Sequence, residues 1–337
     1  DEPLDPASAE DSANYAVSPG ITVSEAVFQG DQRTVRLTVS PLSDGSAYTL
    51  AVSGVTDVWG NAIAAGTSWP FTFVAPDLTS GLVAHWRLDE RTGATAIDAT
   101  GDHDGTLQGP LREAGKLGRA LRFDGVDDYV TTGAWDVTGA ALTICAWLRA
   151  DQFDHLSFHD GRILSKADGV QETDHYWMLS TAKVGAATRL RLRVRTNGTT
   201  STLVASQGDL MTDEWIHVAG VCDDSNMILY KDGLPIGTMG KCGYLTAARG
   251  VPVWLGGNPS RPADRPFRGL LDADRDYARA RAADAVGVHA ARSPVPTVGD
   301  WGALTAVPTG DRTLDSDGDG IPLICEYAFR LDPTEAE

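Results

Sequence analysis

The chain has 337 residues, of which 42% are hydrophobic, so it is long enough for two or three domains that each form a core. Its 46 acidic residues outnumber its 28 basic residues, and the net charge of -18 argues strongly against nucleic-acid binding, which needs a basic surface. No apolar segment is long enough to span a bilayer, and four cysteines without a CxxC pair exclude a zinc ribbon or a thioredoxin-like site.

The first predicted elements lie in residues 21–74. Apolar and polar residues alternate in ITVSEAVF, RTVRLTVS, AYTLAVSGV and WPFTFV, with the turn signals QGDQ, SDGS and WGN between them. This pattern predicts a sandwich of antiparallel strands. The segment from DPASAEDSANYAV to VTDVWGNAI also resembles the bacterial Ig-like domains of large surface proteins.

That resemblance implies a complete strand ahead of Glu2-Pro3-Leu4-Asp5, and two explanations of its absence remain open. Either the chain is cut from a longer polypeptide, or a neighbouring subunit supplies the strand by β-augmentation. We favour the cut, because exposed chain ends are where proteolysis occurs.

After the linker APDLTS the chain predicts many short strands separated by Gly, Asp and Asn turns, which is typical of a sandwich or jelly roll. GLVAHWRLDE, GRALRFDGVDDYV, LTICAWLRA, DEWIHVAGVCD and MILYKDG occur in the order found in laminin-G-like, concanavalin A-like domains, and the resemblance covers roughly residues 80–290. The predicted fold class is therefore all-β, with an Ig-like β-sandwich, a concanavalin A-like jelly-roll sandwich and a short calcium-loop tail. The predicted domains are 1–76, 77–292 and 293–337.

The tail contains DSDGDGIPLICE, residues 315–326, which has the D-x-D-x-D-G-x5-E spacing of an EF-hand-like calcium loop. Alternate residues of a tight loop point inward, glycine permits the sharp turn, and a final glutamate closes the oxygen shell that Ca²⁺ prefers. The alternative is a solvated acidic turn. A weak structural Ca²⁺ site suits the extracellular space, where calcium is millimolar. The predicted ligands are the side chains of Asp315, Asp317, Asp319 and Glu326 and the backbone carbonyl of Ile321.

The cysteines predict one disulfide. If Asp232-Gly233 forms a hairpin turn, the returning strand brings Cys242 near Cys222, and a disulfide between them is consistent with an oxidising compartment. Two free buried thiols are the alternative. A bridge between the remaining Cys145 and Cys325 is a further, speculative alternative.

A second set of acidic residues lies in the laminin-G-like segment, where such domains often hold a structural Ca²⁺. The competing interpretation, which we favour for any single residue, is that Asp-Gly pairs form turns. The set comprises Asp89, Glu90, Asp98, Asp102, Asp104, Asp124, Asp127, Asp128 and Asp272.

The strand TRLRLRVR predicts a row of arginines on one face and apolar residues on the other, because side chains alternate along a strand. Aligned guanidinium groups bind the carboxylate or sulfate groups of an anionic polysaccharide, and neighbouring aromatic and polar residues can form a sugar platform. A solvated face paired with Asp and Glu is the alternative. The predicted ligand-binding residues are Arg189, Arg191, Arg193, Arg195, Lys166, His175, Tyr176 and Trp177.

The tryptophans divide into two predicted groups. Those in strand segments shared with the family are expected in the core, and the others are better candidates for exposure. The first group is Trp86, Trp147 and Trp215; the second is Trp135, Trp177 and Trp254.

Three classes of function remain. The sequence contains no cluster of two glutamates flanking an aspartate such as laminarinase-type hydrolases use, so we expect no catalysis. A polysaccharide lyase built on Gln171, His175, Tyr176 and Arg191 is a weaker alternative. We expect a secreted or cell-surface protein that binds a polysaccharide, a surface glycan or a surface protein; the runner-up is a structural subunit that packs against neighbouring copies in an extracellular filament, layer or adhesin.

Overall fold

A computed structural model describes most of the chain, as two compact units: the first comprises described residues of 3–74 and residues 307–308, and the second lies within residues 80–277. Among the described residues, no helix has the length and apolar character needed to cross a membrane. The fold is almost entirely β, which confirms the predicted fold class. The described residues are 3–28, 32, 34–74, 80–153, 160–223, 225–241, 243–277 and 307–308.

The first unit has a four-stranded sheet of order β1-β4-β5-β22 and a two-stranded ribbon of β2 and β3. A short helix, α1 (Pro6–Ala9), begins at Asp5, whose carboxylate accepts a hydrogen bond from the Ser8 backbone N–H, and proline suits its first turn. A 3₁₀ turn spans Ser12–Asn14. The strands are β1 (Tyr15–Ser18), β2 (Val23–Phe28), β3 (Val35–Val39), β4 (Ala47–Val52), β5 (Ser68–Val74) and β22 (Val307–Pro308).

Alternation along the strands builds the core of the first unit. In β4, Tyr48, Leu50 and Val52 are buried while the residues between them are partly or fully exposed. These side chains pack with Leu37 and Phe73 in one apolar cluster.

The second unit consists of two eight-stranded antiparallel sheets. The first sheet has the order β19-β18-β17-β12-β21-β10-β9, with β6 paired to β21; the second has the order β16-β15-β14-β13-β20-β11-β8-β7. A 3₁₀ turn spans Glu172–Asp174. The strands are β6 (Leu82–Trp86), β7 (Thr95–Ala96), β8 (Gly105–Gln108), β9 (Leu111–Ala114), β10 (Arg119–Asp124), β11 (Tyr129–Ala134), β12 (Leu142–Ala150), β13 (Arg162–Ala167), β14 (His175–Val184), β15 (Ala187–Thr196), β16 (Thr199–Val204), β17 (Ile216–Cys222), β18 (Asn226–Lys231), β19 (Leu234–Gly240), β20 (Pro252–Leu255) and β21 (Arg268–Tyr277).

One large apolar core forms where side chains of both sheets meet. β12 contributes Leu142, Ile144 and Leu148 from the first sheet, and β15 contributes Leu190 and Leu192 from the second. The other face of the second sheet is therefore left to polar and aromatic side chains, which places the candidate site there.

The predicted hairpin turn is confirmed. β18 and β19 pair antiparallel, and Asp232 and Gly233 between them both have positive φ, 50° and 78°, as a type I′ turn requires. Cys222 is buried and its Sγ donates to the Asp223 carbonyl at 3.5 Å. Its proposed partner Cys242 lies outside the described residues, so the disulfide stays a prediction.

Candidate functional site

The candidate site is the arginine face, defined here as the side of the second sheet opposite to the core, with Arg189, Arg191, Arg193 and Arg195 at its centre. In β15, Leu190, Leu192 and Val194 belong to the core, so the arginines project from the opposite side. The predicted separation of the two sets is confirmed. Arg191 and Arg193 are nevertheless each only 8% exposed.

Strand register shows which other side chains share this face, because residues directly opposite each other in neighbouring strands point the same way. Arg193 pairs with Met178, Met178 with Ser165, and Ser165 with Trp254. These four residues form one row across β15, β14, β13 and β20. With strands about 4.8 Å apart, Trp254 lies roughly 14 Å from Arg193 along the row.

Trp254 forms an aromatic platform with Tyr129 of the adjacent strand β11. The two rings are stacked, with centroids 3.6 Å apart and planes at 4°. Trp254 is 8% exposed and Tyr129 is half-buried. Stacked rings on a polar face offer an apolar surface of the kind that sugar rings contact.

A charged cluster lies beside Arg191, in the next row of the same face. Arg191 pairs in register with Ser180, which pairs with Arg162. Arg191 Nη2 donates to Asp160 Oδ2, and Arg265 Nη1 lies 3.3 Å from the same oxygen. These contacts hold Asp160, which enters the sheet just before β13, between two guanidinium groups.

Arg162 occupies the base of this cluster with a side chain that is 0% exposed. Its Nη2 lies 3.6 Å from Asp264 Oδ2, which also accepts a hydrogen bond of 3.1 Å from Asn258 Nδ2. The Nε and Nη2 atoms of Arg162 have no hydrogen-bond partner among the described residues. Burial, followed by the positive charge of Arg191, lowers the pKa of Arg162 to about 9.

Positive charge is in excess on this face. The cluster contains four guanidinium groups, those of Arg162, Arg191, Arg193 and Arg265, and two carboxylates, those of Asp160 and Asp264. The exposed Glu172 at the edge adds one negative charge. The site is therefore suited to an anionic group, although the whole chain is acidic.

Tyr176 lies next to Arg195 on this face. Its hydroxyl donates to Asp168 Oδ2 at 3.1 Å, and the Arg195 guanidinium carbon lies 5.3 Å from the ring centroid. Burial, followed by Asp168, raises the pKa of Tyr176. At the other end of β15, Arg189 Nε pairs with Asp209 Oδ1 at 2.5 Å.

Two of the predicted ligand-binding residues lie on the core side instead. Lys166 pairs in register with Trp177 and Val253, and both partners belong to the core. Lys166 Nζ donates hydrogen bonds to two backbone carbonyls, that of Trp135 and, at 2.8 Å, that of Val251. It therefore connects the two segments that contain these residues. Neither Lys166 nor Trp177 takes part in the arginine face.

His175 is also fully buried. Its Nδ1 lies 2.7 Å from the Gln171 carbonyl oxygen, which can only accept, so Nδ1 carries the proton. Burial, followed by the charges of Arg162 and Arg193, lowers the pKa of His175 to about 3. It is therefore a neutral structural histidine at physiological pH, and its burial disfavours the general-base role that a lyase would need.

The predicted exposure of three tryptophans is wrong. Trp135, Trp177 and Trp254 are 7%, 2% and 8% exposed. Trp135 and Trp177 pack on each other, with ring centroids 5.5 Å apart. Among the tryptophans that the structure describes, the exposed one is Trp59 of the first unit, at 67%, in a turn where Asp57 accepts from backbone N–H groups.

The second acidic set serves mainly in turns. Buried Asp98 accepts from the backbone N–H groups of His85, Thr100 and His103. Burial opposes ionisation there, but a hydrogen bond from the Thr100 hydroxyl, followed by these backbone hydrogen bonds, prevails and lowers the pKa of Asp98. Asp124, Asp127 and Asp128 place ligand oxygens within 4.8 Å of one another. The predicted calcium loop at 315–326 lies outside the described residues.

Sequence reasoning missed much of the site. The other members of the site lie 27 or more residues from the nearest arginine of β15, and no recognisable motif marks them. Asp160 precedes β13, Arg162 begins it, and Asn258, Asp264 and Arg265 follow β20, in GGNPSRPADR. Only the pairing of residues across neighbouring strands shows that these side chains lie close together.

Two segments match family models. Residues 124–287 match the concanavalin A-like lectin/glucanases superfamily, and residues 1–73 match the bacterial Ig-like domain. No curated protein matches this chain.

Several solved structures are similar to part of this chain. Domain 4 of AbnA, an extracellular arabinanase from Geobacillus stearothermophilus, in complex with arabinotriose, is 20% identical, with 61% of this chain and 96% of that chain covered and a TM-score of 0.48. The binding domain of Paraclostridial Mosquitocidal Protein 1 is 16% identical, with 62% and 52% covered and a TM-score of 0.48. Trypanosoma rangeli sialidase in complex with 2,3-difluorosialic acid is 18% identical, with 63% and 33% covered and a TM-score of 0.44.

The chain thus spans about half of the toxin's binding domain and a third of the sialidase. The sheets therefore form two all-β units, and the matched segments are similar to a bacterial Ig-like domain and to the concanavalin A-like lectin/glucanases superfamily.

Proposed function

We propose that this chain is a non-catalytic, extracellular or cell-surface protein that binds glycans through the arginine face of its concanavalin A-like domain. The observation that supports it is the row that joins Arg193 to Trp254 on one face of one sheet. Met178 and Ser165 in the middle of the row are fully buried, so its two ends carry the proposal: a ring surface at Trp254 and a cationic hydrogen-bond donor at Arg193, for one extended ligand. The Ig-like domain acts as a spacer, and Ca²⁺ at residues 315–326 stabilises the tail.

The aromatic platform gives the direct test. Replacing Trp254 with alanine removes the ring that stacks on Tyr129, and we expect the variant to lose most of its retardation in affinity gels that contain neutral, uronic-acid or sulfated polysaccharides. A stacked aromatic contact contributes about 1 kcal/mol beyond burial, so at least a fivefold loss of affinity should be seen. Parallel gels with a chelator test the role of calcium.

Trp59→Ala is the matched control, because Trp59 is an exposed tryptophan in the other unit. Its retardation should equal that of the unmodified chain. Circular dichroism would establish that both variants are folded. Equal retardation of the two variants, or migration of the unmodified chain unaltered in every gel, would contradict glycan binding at this face.

A further inference from the structure

Arg193 is a largely buried arginine of the arginine face that has no carboxylate in direct contact among the described residues. Its Nε donates to Thr202 Oγ1 at 3.0 Å, and among the described residues no carboxylate lies within 4.0 Å of its guanidinium group. The side chain is 8% exposed. Glu172 and Asp160 act on Arg193 electrostatically but without direct contact. A charge that is largely removed from water and has no carboxylate in contact is costly.

Three other arginines of the face each lie close to a carboxylate. Arg189 pairs with Asp209, Arg191 pairs with Asp160, and Arg162 lies near Asp264. Arg195, which is more exposed, donates to the backbone carbonyls of Gly198 and Thr173.

Arg193 is also held in one orientation. The Thr202 hydroxyl accepts from Arg193 Nε and donates to Glu172 Oε1. These hydrogen bonds hold the Arg193 guanidinium group through its Nε atom. Its Nη1 and Nη2 atoms remain as two adjacent hydrogen-bond donors. A fixed fork of this kind loses little side-chain entropy when it binds a planar group.

We infer that Nη1 and Nη2 of Arg193 bind the carboxylate of an acidic sugar residue in the glycan, with the remainder of that glycan directed along the row toward Trp254. The inference rests on the proposed function and deepens it. The planar fork matches a carboxylate, which accepts two parallel hydrogen bonds, better than it matches a tetrahedral sulfate. Because the whole chain has a net charge of -18, it repels polyanions in general, and binding of one requires a local site.

The experiment compares a polyuronate with its carboxyl-reduced product, in which each carboxylate has become a neutral hydroxymethyl group, and with a sulfated polysaccharide. Dissociation constants are measured for the full chain and for Arg193→Lys, Arg193→Met and Arg189→Lys. Arg193→Lys keeps the charge and removes the fork. Arg189→Lys makes the same change in the same strand at an arginine that already has a carboxylate partner.

We expect at least tenfold weaker binding of the polyuronate after carboxyl reduction and in Arg193→Lys, near-complete loss in Arg193→Met, and less than a twofold change in Arg189→Lys. Removal of an unpaired buried charge should leave the Tm of Arg193→Met unchanged or higher, which separates a binding defect from a folding defect.

Three outcomes would overturn the inference: equal binding of the native and reduced polymers, equal effects of the two lysine variants, or preference for the sulfated polymer that does not depend on Arg193. If the reduced polymer binds equally and Trp254→Ala abolishes that binding, the proposed function stands and the carboxylate subsite fails. If no polymer binds, the proposed function itself fails.

Discussion

Between pH 6.5 and pH 4, the second unit should lose about 3 kcal/mol of unfolding free energy through His175 alone. The unfolded chain protonates this imidazole near its ordinary pKa of 6.5, whereas burial and then the charges of Arg162 and Arg193 lower the folded pKa to about 3. The unfolded state therefore binds more protons in this interval, so stability falls as the pH falls. Each pH unit contributes about 1.4 kcal/mol per group.

Denaturant unfolding of the full chain at pH 7, 6, 5 and 4 would measure this loss. His175→Asn provides the comparison, because its amide can donate to the Gln171 carbonyl in place of Nδ1 and does not titrate. We expect its stability to fall less steeply with pH by about 1 kcal/mol per unit. His103→Asn, at a ring that stacks on Trp135, is the control. If the pH dependence of His175→Asn matched that of the unmodified chain, the buried neutral state of His175 would be wrong.

Asp160→Asn should destabilise the second unit by about 3–5 kcal/mol, the range observed when one partner of a buried ion pair is removed. The carboxylate accepts from Arg191 and lies 3.3 Å from Arg265 Nη1. An amide at this position would leave Arg191, which is 8% exposed, without its opposite charge. The loss would appear as a lower denaturant midpoint with an unchanged slope.

Asp209→Asn is the matched control for this prediction. Asp209 also pairs with an arginine of β15, but its side chain is 50% exposed, so solvent screens the interaction. Its substitution should cost less than about 1 kcal/mol. Equal effects of the two substitutions would show that the cluster around Asp160 is no more protected from water than a surface ion pair.

Local patterns in the sequence predicted the features that depend on neighbours along the chain. The two-residue period of TRLRLRVR separated the arginines from Leu190, Leu192 and Val194, because strand side chains alternate regardless of what lies beyond them. The turn at Asp232-Gly233 was predictable because type I′ geometry favours those residue types.

The same reasoning failed wherever exposure depended on distant segments. Lys166 and Trp177 lie in one cross-strand row with Val194, on the core side, and His175 lies beyond a register shift between Lys166 and Ala167. A shift of one residue moves a side chain to the other face, and no local pattern indicates it. Trp254 does share the arginine face, but stacking on Tyr129 leaves it largely buried.

The sequence by itself determined the all-β class, the order of the two sandwiches, the side of β15 that carries the arginines and the spacing of the predicted calcium loop. These depend on alternation, turn chemistry and short spacings, which are local properties. The tertiary structure alone decided that Asp160, Asp264 and Arg265 join Arg162 and Arg191, and that no carboxylate of the described residues lies within 4.0 Å of the Arg193 guanidinium group. Charge pairing depends on which strands and loops meet across the sheet, and that is set by the packing of the whole domain.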